Sequence, residues 1–255
     1  MTHDFAELLT ASNFTFLTGA SHPDEMVAQA RALGLAAIGL ADRNSFAGMV
    51  RAHLAAKDAG IPLVVGTRLV TRCGLEIAAY PTDLDAWARL TRLLTDANFA
   101  ARKGDCELHA DAVASASHGQ VLLIIPPCEP DQAWQDRVTS LLPTLKGETH
   151  LVLTRWFDGR DGERLHRLSR LATDWGLTTV ASTDARYHAP GRKPLADVVT
   201  CIREHVRINE AGFHLAANAD RHPNPPPQLS HPPHRPSHPL HPPAPTAPRP
   251  PPPPH

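Results

Sequence analysis

Short apolar or β-branched runs alternate with longer amphipathic stretches along the first 220 residues of this 255-residue chain. This alternation is typical of β–α units. Several runs are apolar throughout, as expected for strands that are covered on both faces. Strands are predicted at 5–11, 36–41, 61–70, 75–79, 121–125, 150–154 and 178–183. Helices are predicted at 23–33, 45–59, 83–97, 131–142, 161–175 and 193–204.

This number of strands with intervening helices favours a closed or nearly closed α/β barrel over an open sheet. In such barrels the functional side chains lie in the loops that follow the carboxyl ends of the strands. Candidate functional residues are therefore expected in those loops.

The composition changes abruptly at Arg221, after which the chain is mostly Pro and His. Leu229 and Leu240 are the only large apolar residues of that stretch. Such a segment buries too little apolar surface to offset the entropy of ordering it. The sequence therefore predicts one folded domain at 1–220 and a disordered, Pro/His-rich tail at 221–255.

A formal net charge of −1 gives no global basic field, which argues against nucleic-acid binding by this segment alone. The four cysteines have no paired spacing, so reduced thiols are expected rather than a disulfide framework. No signal-peptide pattern and no apolar run of membrane-spanning length is present, so a cytoplasmic protein without membrane contact is expected. Gly-x-Ser-x-Gly, phosphate-loop and His-Glu-x-x-His motifs are absent.

Two blocks of sequence carry a family resemblance. Residues 5–23 (FAELLTASNFTFLTGASHP) resemble the opening of the PHP (polymerase and histidinol phosphatase) domain of bacterial C-family DNA polymerases, which include DNA polymerase III alpha. They are most similar to the error-prone, translesion branch. Residues 194–222 resemble the segment that leads from that domain toward the polymerase body. The resemblance covers 5–222 and implies a PHP-type distorted (β/α)7 barrel.

In metal-binding members the first strand carries a His-x-His pair, and the matching positions here are Leu9 and Ala11. Neither side chain has a lone pair with which to coordinate a cation. The segment at 41–48 resembles the family's Asp-His-x-x-x-x-Gly stretch, in which Asp42 is kept and Arg43 replaces the His.

The other two strand ends show the same pattern. Arg68 stands where the resemblance implies a bridging Glu, and Asp184 is kept while Arg186 replaces the His of an Asp-x-His pair. Arginine stays protonated and cannot coordinate a metal. The sequence therefore predicts a vestigial metal site, with no bound metal and no catalytic residue.

We expect Asp42 and Asp184 to pair with some of the three arginines, so that side-chain charge replaces metal charge. The alternative is a set of solvated loop residues without mutual contact. His188 follows the last of these positions and could lean over the end of the barrel.

The function that this resemblance implies is a non-catalytic PHP domain, a structural module of an error-prone DNA polymerase. By resemblance, the parent enzyme extends DNA past lesions with deoxynucleotides and magnesium, and its polymerase body is the partner of this domain. DNA would be contacted only through the parent, and no cofactor or small-molecule ligand is expected for this chain. The palm and fingers have no counterpart in the sequence, so a truncated fragment is expected, with a frameshift or a natural extension producing the tail.

Two other functions are compatible with the sequence. One is a metal-dependent phosphoesterase or 3′–5′ exonuclease, as in family members with intact ligands. The other is an adaptor that presents the proline run at 250–254 to aromatic grooves.

Overall fold

The computed structural model of the chain describes residues 5–225. The strands are β1 (Ala6–Thr10), β2 (Ala37–Arg43), β3 (Leu63–Val70), β4 (Glu76–Pro81), β5 (Gln120–Ile125), β6 (Glu148–Thr154) and β7 (Thr178–Ser182). The helices are α1 (Pro23–Ala32), α2 (Met49–Ala59), α3 (Leu84–Phe99), α4 (Ala110–Ala116), α5 (Gln132–Leu141), α6 (Asp161–Asp174) and α7 (Lys193–Glu204). Short 3-10 turns lie at Leu142–Thr144, Pro190–Arg192 and Gly212–His214.

The seven strands form one sheet in sequence order, and the sheet nearly closes on itself. All neighbours are parallel except β4, which runs antiparallel to both β3 and β5. The connection from β3 to β4 is too short for a helical crossover, and a short connection makes the strand reverse direction. A bridge between Thr10 and Ala185 joins the first strand to the segment after the last. The prediction of a nearly closed seven-stranded α/β barrel is confirmed.

Side chains from the strands alone fill the inside of the barrel. Tyr80 is the largest of them, and its hydroxyl donates a hydrogen bond of 2.6 Å to the carbonyl of Leu8. Gly66 on β3 makes room for the ring, because a Cβ there would lie 2.4 Å from it. Two further clusters pack the helices onto the outside, one beneath α1 and α2 and one beneath α3 to α6.

Helix α4 was not predicted from the sequence. It is seven residues long and buries only Val113 and Ala114, so it shows too few apolar positions for a helical period to be recognised.

The packed structure continues beyond the predicted domain end at residue 220. The side chains of Arg221 and Asn224 are both buried, and the backbone N–H of Arg186 donates to the carbonyl of Arg221 at 2.8 Å. The described fold therefore extends to residue 225, while the rest of the predicted tail, including the proline run, lies outside the described residues. Within residues 5–225 no helix is long and apolar enough to cross a membrane.

Candidate functional site at the barrel mouth

The predicted site residues lie at one end of the barrel, where β1, β2, β3 and β7 terminate, and we call this end the barrel mouth. Leu9 is fully buried among the side chains that fill the barrel, and Ala11 is buried just beyond the end of β1. These two positions therefore contribute hydrocarbon where a metal site would need nitrogen or oxygen ligands.

Asp42, on β2, is held by hydroxyl and backbone donors. Its carboxylate accepts hydrogen bonds from the backbone N–H of Ser12 at 2.7 Å, the Ser12 hydroxyl at 2.8 Å and the Thr15 hydroxyl at 2.6 Å. Burial raises the pKa of the Asp42 carboxyl, and these hydrogen bonds oppose that shift. Among the described residues Asp42 forms no ion pair, so the predicted pairing with an arginine is wrong at this position.

The segment after β2 has a glycine, Gly48, at a position with no room for a side chain. A Cβ at this position would lie 2.8 Å from the Oδ2 atom of Asp42 and 3.0 Å from the ring of Phe14. The glycine therefore lets the start of α2 approach the buried carboxylate closely.

Asp184, just after β7, is the centre of the charged side chains at the barrel mouth. It forms buried ion pairs with Arg68 and Arg221, and a guanidinium nitrogen of Arg186 lies 4.0 Å from its Oδ2 atom. Burial alone would raise the pKa of Asp184, but the three neighbouring positive charges hold it well below its usual range. The expected pairing of a retained aspartate with a substituted arginine is confirmed here.

The arginines around Asp184 differ in their surroundings. Arg68 also reaches Glu76 at 3.3 Å, and the two carboxylates raise its pKa although burial opposes this. Arg186 is one-third exposed, and repulsion from Arg221, followed by burial, lowers its pKa to about 10. We refer to Arg68, Arg186 and Arg221 together as the arginine cluster.

Sequence reasoning missed Arg221, which was assigned to the tail because the Pro/His-rich stretch begins there. The guanidinium of Arg221 lies 4.4 Å above the ring of Trp156, a cation–π distance. Nearby, the side-chain amide of Asn218 donates to the carbonyl of Trp156 at 2.7 Å and attaches the same C-terminal segment. The signal that could have found Arg221 was its place at the end of the second family-like block.

Arg43 and His188 do not join the charged group. Arg43 is exposed, and its backbone N–H donates to the Thr15 hydroxyl at 3.1 Å. The Nδ1 atom of His188 lies 2.8 Å from the hydroxyl of Ser21 and 3.9 Å from Glu25, so this imidazole faces the start of α1. These contacts do not support the possibility that His188 leans over the barrel mouth.

A third buried carboxylate, Glu7, was also missed, because it precedes the two positions of β1 that match the His-x-His pair and is not one of them. It accepts hydrogen bonds from the Leu9 N–H at 3.0 Å, from the Ser182 hydroxyl at 2.5 Å, and from the N–H and hydroxyl of Thr183 at 2.8 and 2.6 Å. Burial raises its pKa. Glu7 thus ties β1 to β7 where the barrel closes.

The residues at the barrel mouth do not fit a divalent cation. Both carboxylate oxygens of Asp184 face guanidinium groups, and those of Asp42 accept from Ser12 and Thr15. Across residues 5–225 there is no group of three or more His, Cys, Asp or Glu side chains that could hold a metal ion. An ion placed here would also meet three fixed positive charges.

The chain is a nearly closed α/β barrel with charged side chains at the ends of its parallel strands. These features place it in the class of α/β-barrel domains. Within that class the chain belongs to the PHP domain family, whose sequence model matches residues 7–153.

The chain is homologous to a segment of error-prone DNA polymerases. It is 45% identical over 227 residues to the error-prone DNA polymerase of Caulobacter vibrioides, which covers 89% of this chain and 21% of that protein. It is 42% identical over 231 residues to error-prone DNA polymerase 1 of Rhizobium meliloti, with coverage of 89% and 20%. The chain thus spans about a fifth of the length of these curated relatives.

Solved structures share the fold at low sequence identity. A protein from Bifidobacterium adolescentis, named for a proposed metal-dependent phosphoesterase activity, superposes with a TM-score of 0.54 at 15% identity, over 71% of this chain and 87% of that one. An amidohydrolase from Chromobacterium violaceum, crystallised with bound sulfate and no metal, superposes with a TM-score of 0.53 at 16% identity and the same coverage.

Proposed function

We propose that this chain is a non-catalytic, structural PHP module that works within an error-prone, translesion DNA polymerase in the cytoplasm. The observation that carries the proposal is the buried contact of Asp184 with Arg68 and Arg221. In this proposal ion pairing stands in place of metal coordination. The relatives over most of the chain are named as error-prone DNA polymerases. In this proposal magnesium and DNA are bound by other parts of the polymerase.

An apolar stripe on α7 supports a role inside a larger protein. Leu195, Val198 and Ile202 follow one another at helical spacing and are each about half exposed, whereas Cys201 is the residue of this helix that is buried. An exposed stripe of this kind marks a surface that packs against another protein segment. Because the relatives are about five times longer than their match to this chain, we assign the polymerase body as its partner.

Helix α7 is also fixed to the loop that carries the Asp42 contacts. The guanidinium of Arg203 donates to the carbonyl of Leu17 at 2.8 Å and lies 3.3 Å from the Thr18 hydroxyl. In a parent polymerase, α7 would thereby connect the barrel mouth with the polymerase body.

The test is a chimera in which this chain replaces the matching segment of the Caulobacter vibrioides enzyme. We expect primer extension to be retained within a few-fold, and no 3′–5′ hydrolysis of DNA to appear with manganese. Ile202→Glu in the chimera should weaken primer extension, while the matched change Leu84→Glu, at an exposed position of α3, should not. Manganese-dependent hydrolysis that is lost on Asp42→Ala would instead support the phosphoesterase alternative.

A further inference from the structure

An open groove of about 510 Å³ lies between α3 and α4 on the outside of the barrel. Its floor is apolar and is formed by Leu93, Ala97, Leu108, Ala112 and Ala116. Because three of these five residues are alanines, the floor lies low between the two helices and leaves room for side chains from another segment. Unfilled apolar surface of this kind with a charged rim marks a contact site.

The two helices run in opposite directions along the groove. The backbone N–H of Glu107, just before α4, donates to the carbonyl of Ala97 near the end of α3 at 2.9 Å. At the other end of the groove, the guanidinium of Arg89 donates to the carbonyl of His118, just after α4, at 2.8 Å. These two contacts fix which residues lie at each end.

The two ends of the groove carry opposite charges. Arg89 and Arg92 line the end next to the close of α4, whereas Asp96 and Glu107 line the end next to its start. Glu107 is already paired with Arg72 at 3.2 Å. Arg92 and Asp96 are exposed, and within residues 5–225 neither side chain makes a hydrogen bond or an ion pair.

A surface that is positive at one end and negative at the other is complementary to itself after a two-fold rotation. If α3 of a second copy lies antiparallel across the groove, Arg92 faces Asp96 of the other copy and Asp96 faces its Arg92. The charges of this groove therefore fit a second copy of the chain.

An exposed aromatic ring beside the groove matches its apolar floor. Phe99, the last residue of α3, is 87% exposed. It follows Arg92 by seven residues, close to two helical turns, so both side chains project from the same side of α3. The antiparallel arrangement that pairs the charges also places Phe99 level with Arg89 of the other copy, where the floor includes Leu93.

We propose that two copies of this chain associate through the groove between α3 and α4. The α3 helices lie antiparallel, Arg92 and Asp96 form two reciprocal ion pairs, and the Phe99 ring of each copy covers the floor of the other groove. The buried ring supplies most of the affinity, and the ion pairs set the orientation. This association is separate from the structural role proposed above, which uses α7.

The test is sedimentation equilibrium of the full chain at concentrations up to about 0.2 mM, at which a dimer with a dissociation constant of about 1 µM is mostly formed. We expect the mass to rise from that of one chain toward that of two. Phe99→Glu should weaken the dimer at least about tenfold, because it places a carboxylate against the apolar floor. Val50→Glu, at an exposed position of α2, is the matched control and should leave the association unchanged.

Charge reversal tests the antiparallel pairing. Arg92→Glu alone and Asp96→Arg alone should each weaken the dimer, because each places like charges opposite one another at both ion pairs. A mixture of the two variants should form a heterodimer, since unlike charges then meet at both positions. Both residues are exposed, so the variants should fold as the wild-type chain does.

A chain that stays monomeric over the whole concentration range would overturn the proposal. If Phe99→Glu also weakens primer extension by the chimera described above, the occupant of the groove is the polymerase body instead. A dimer that Ile202→Glu disrupts and Phe99→Glu leaves intact would form through the apolar stripe of α7, which would equally overturn it. Failure of the mixed Arg92→Glu and Asp96→Arg variants to associate would refute the antiparallel arrangement.

Discussion

Arg68 and Asp184 are 116 residues apart in the sequence and form a buried ion pair across the barrel mouth. One lies on β3 and the other follows β7, so their contact links the two sides of the nearly closed sheet. Each is also paired a second time, Arg68 with Glu76 and Asp184 with Arg221. The pair is therefore part of a charge network that joins four segments of the chain, which are β3, β4, the residues after β7 and the C-terminal segment around Arg221.

Removing the central carboxylate should be strongly destabilising. Asp184→Asn leaves the buried Arg221 without its counter-charge and Arg68 with Glu76 alone, and breaking a buried pair on one side costs about 3–5 kcal/mol. We expect a loss of this size in the free energy of unfolding, measured by urea denaturation of the full chain at neutral pH. The matched control is Glu210→Gln, whose pairing with Arg207 is exposed and should be worth less than about 0.5 kcal/mol. A loss for Asp184→Asn no larger than that of the control would contradict the network.

The ion pairing of Asp184 makes the free energy of unfolding depend on pH. Because the folded-state pKa of Asp184 lies below its ordinary value of 3.8, the folded protein binds fewer protons at this group than the unfolded chain does. Its stabilising contribution is therefore present above about pH 4 and is lost as the pH falls through the folded-state value. The difference in unfolding free energy between wild type and Asp184→Asn should be constant from about pH 7 to pH 5 and shrink below about pH 4. Urea titrations at each pH measure it, and a difference that does not vary with pH would refute this assignment.

Asp42 should act through hydrogen bonds rather than through a metal. Asp42→Ala leaves the N–H and hydroxyl of Ser12 and the hydroxyl of Thr15 without their buried acceptor, which should cost about 2 kcal/mol. Amide hydrogen exchange at Ser12 should become faster at the same time, since the loop after β1 loses its attachment. Unchanged exchange at Ser12 would show that the carboxylate does not hold the loop.

A carboxylate introduced on the exposed face of α7 should change the unfolding free energy less than one introduced on its buried face. Ile202→Glu places a carboxylate on the exposed stripe and should change the unfolding free energy of this chain by less than about 0.5 kcal/mol. Cys201→Asp, one residue earlier, buries an unpaired carboxylate and should cost more than about 2 kcal/mol. Urea denaturation of both variants measures the contrast, and equal losses would mean that the stripe is packed within this chain.

The strands and most helices could be predicted because their apolar runs are long and their ends carry glycine or proline. The short helix α4 could not, since it buries only two residues. The reversal of β4 follows from its short connection to β3, although the prediction stated no strand directions.

Only part of the charged site at the barrel mouth could be predicted from the sequence, because some of its contacts leave no pattern in the sequence. A family pattern can show which positions would hold ligands, and it led to Asp184 and Arg68. It could not show that Ser12 and Thr15 occupy the oxygens of Asp42, because hydroxyl donors have no distinctive spacing. It also could not show that Arg221 folds back over Trp156, because long-range pairing leaves no local signal in the sequence.

At the barrel mouth, arginine and hydrocarbon side chains stand at positions that the family resemblance assigns to metal ligands. The most direct measurement is a titration of the full chain with Mn²⁺, followed by paramagnetic broadening of backbone amide signals. We predict no saturable broadening centred on the amides of Ala11 and Ala185, which lie beside this site. Saturable broadening at those amides that disappears in Asp42→Ala would show that a cation binds between the two retained aspartates, and would contradict the account.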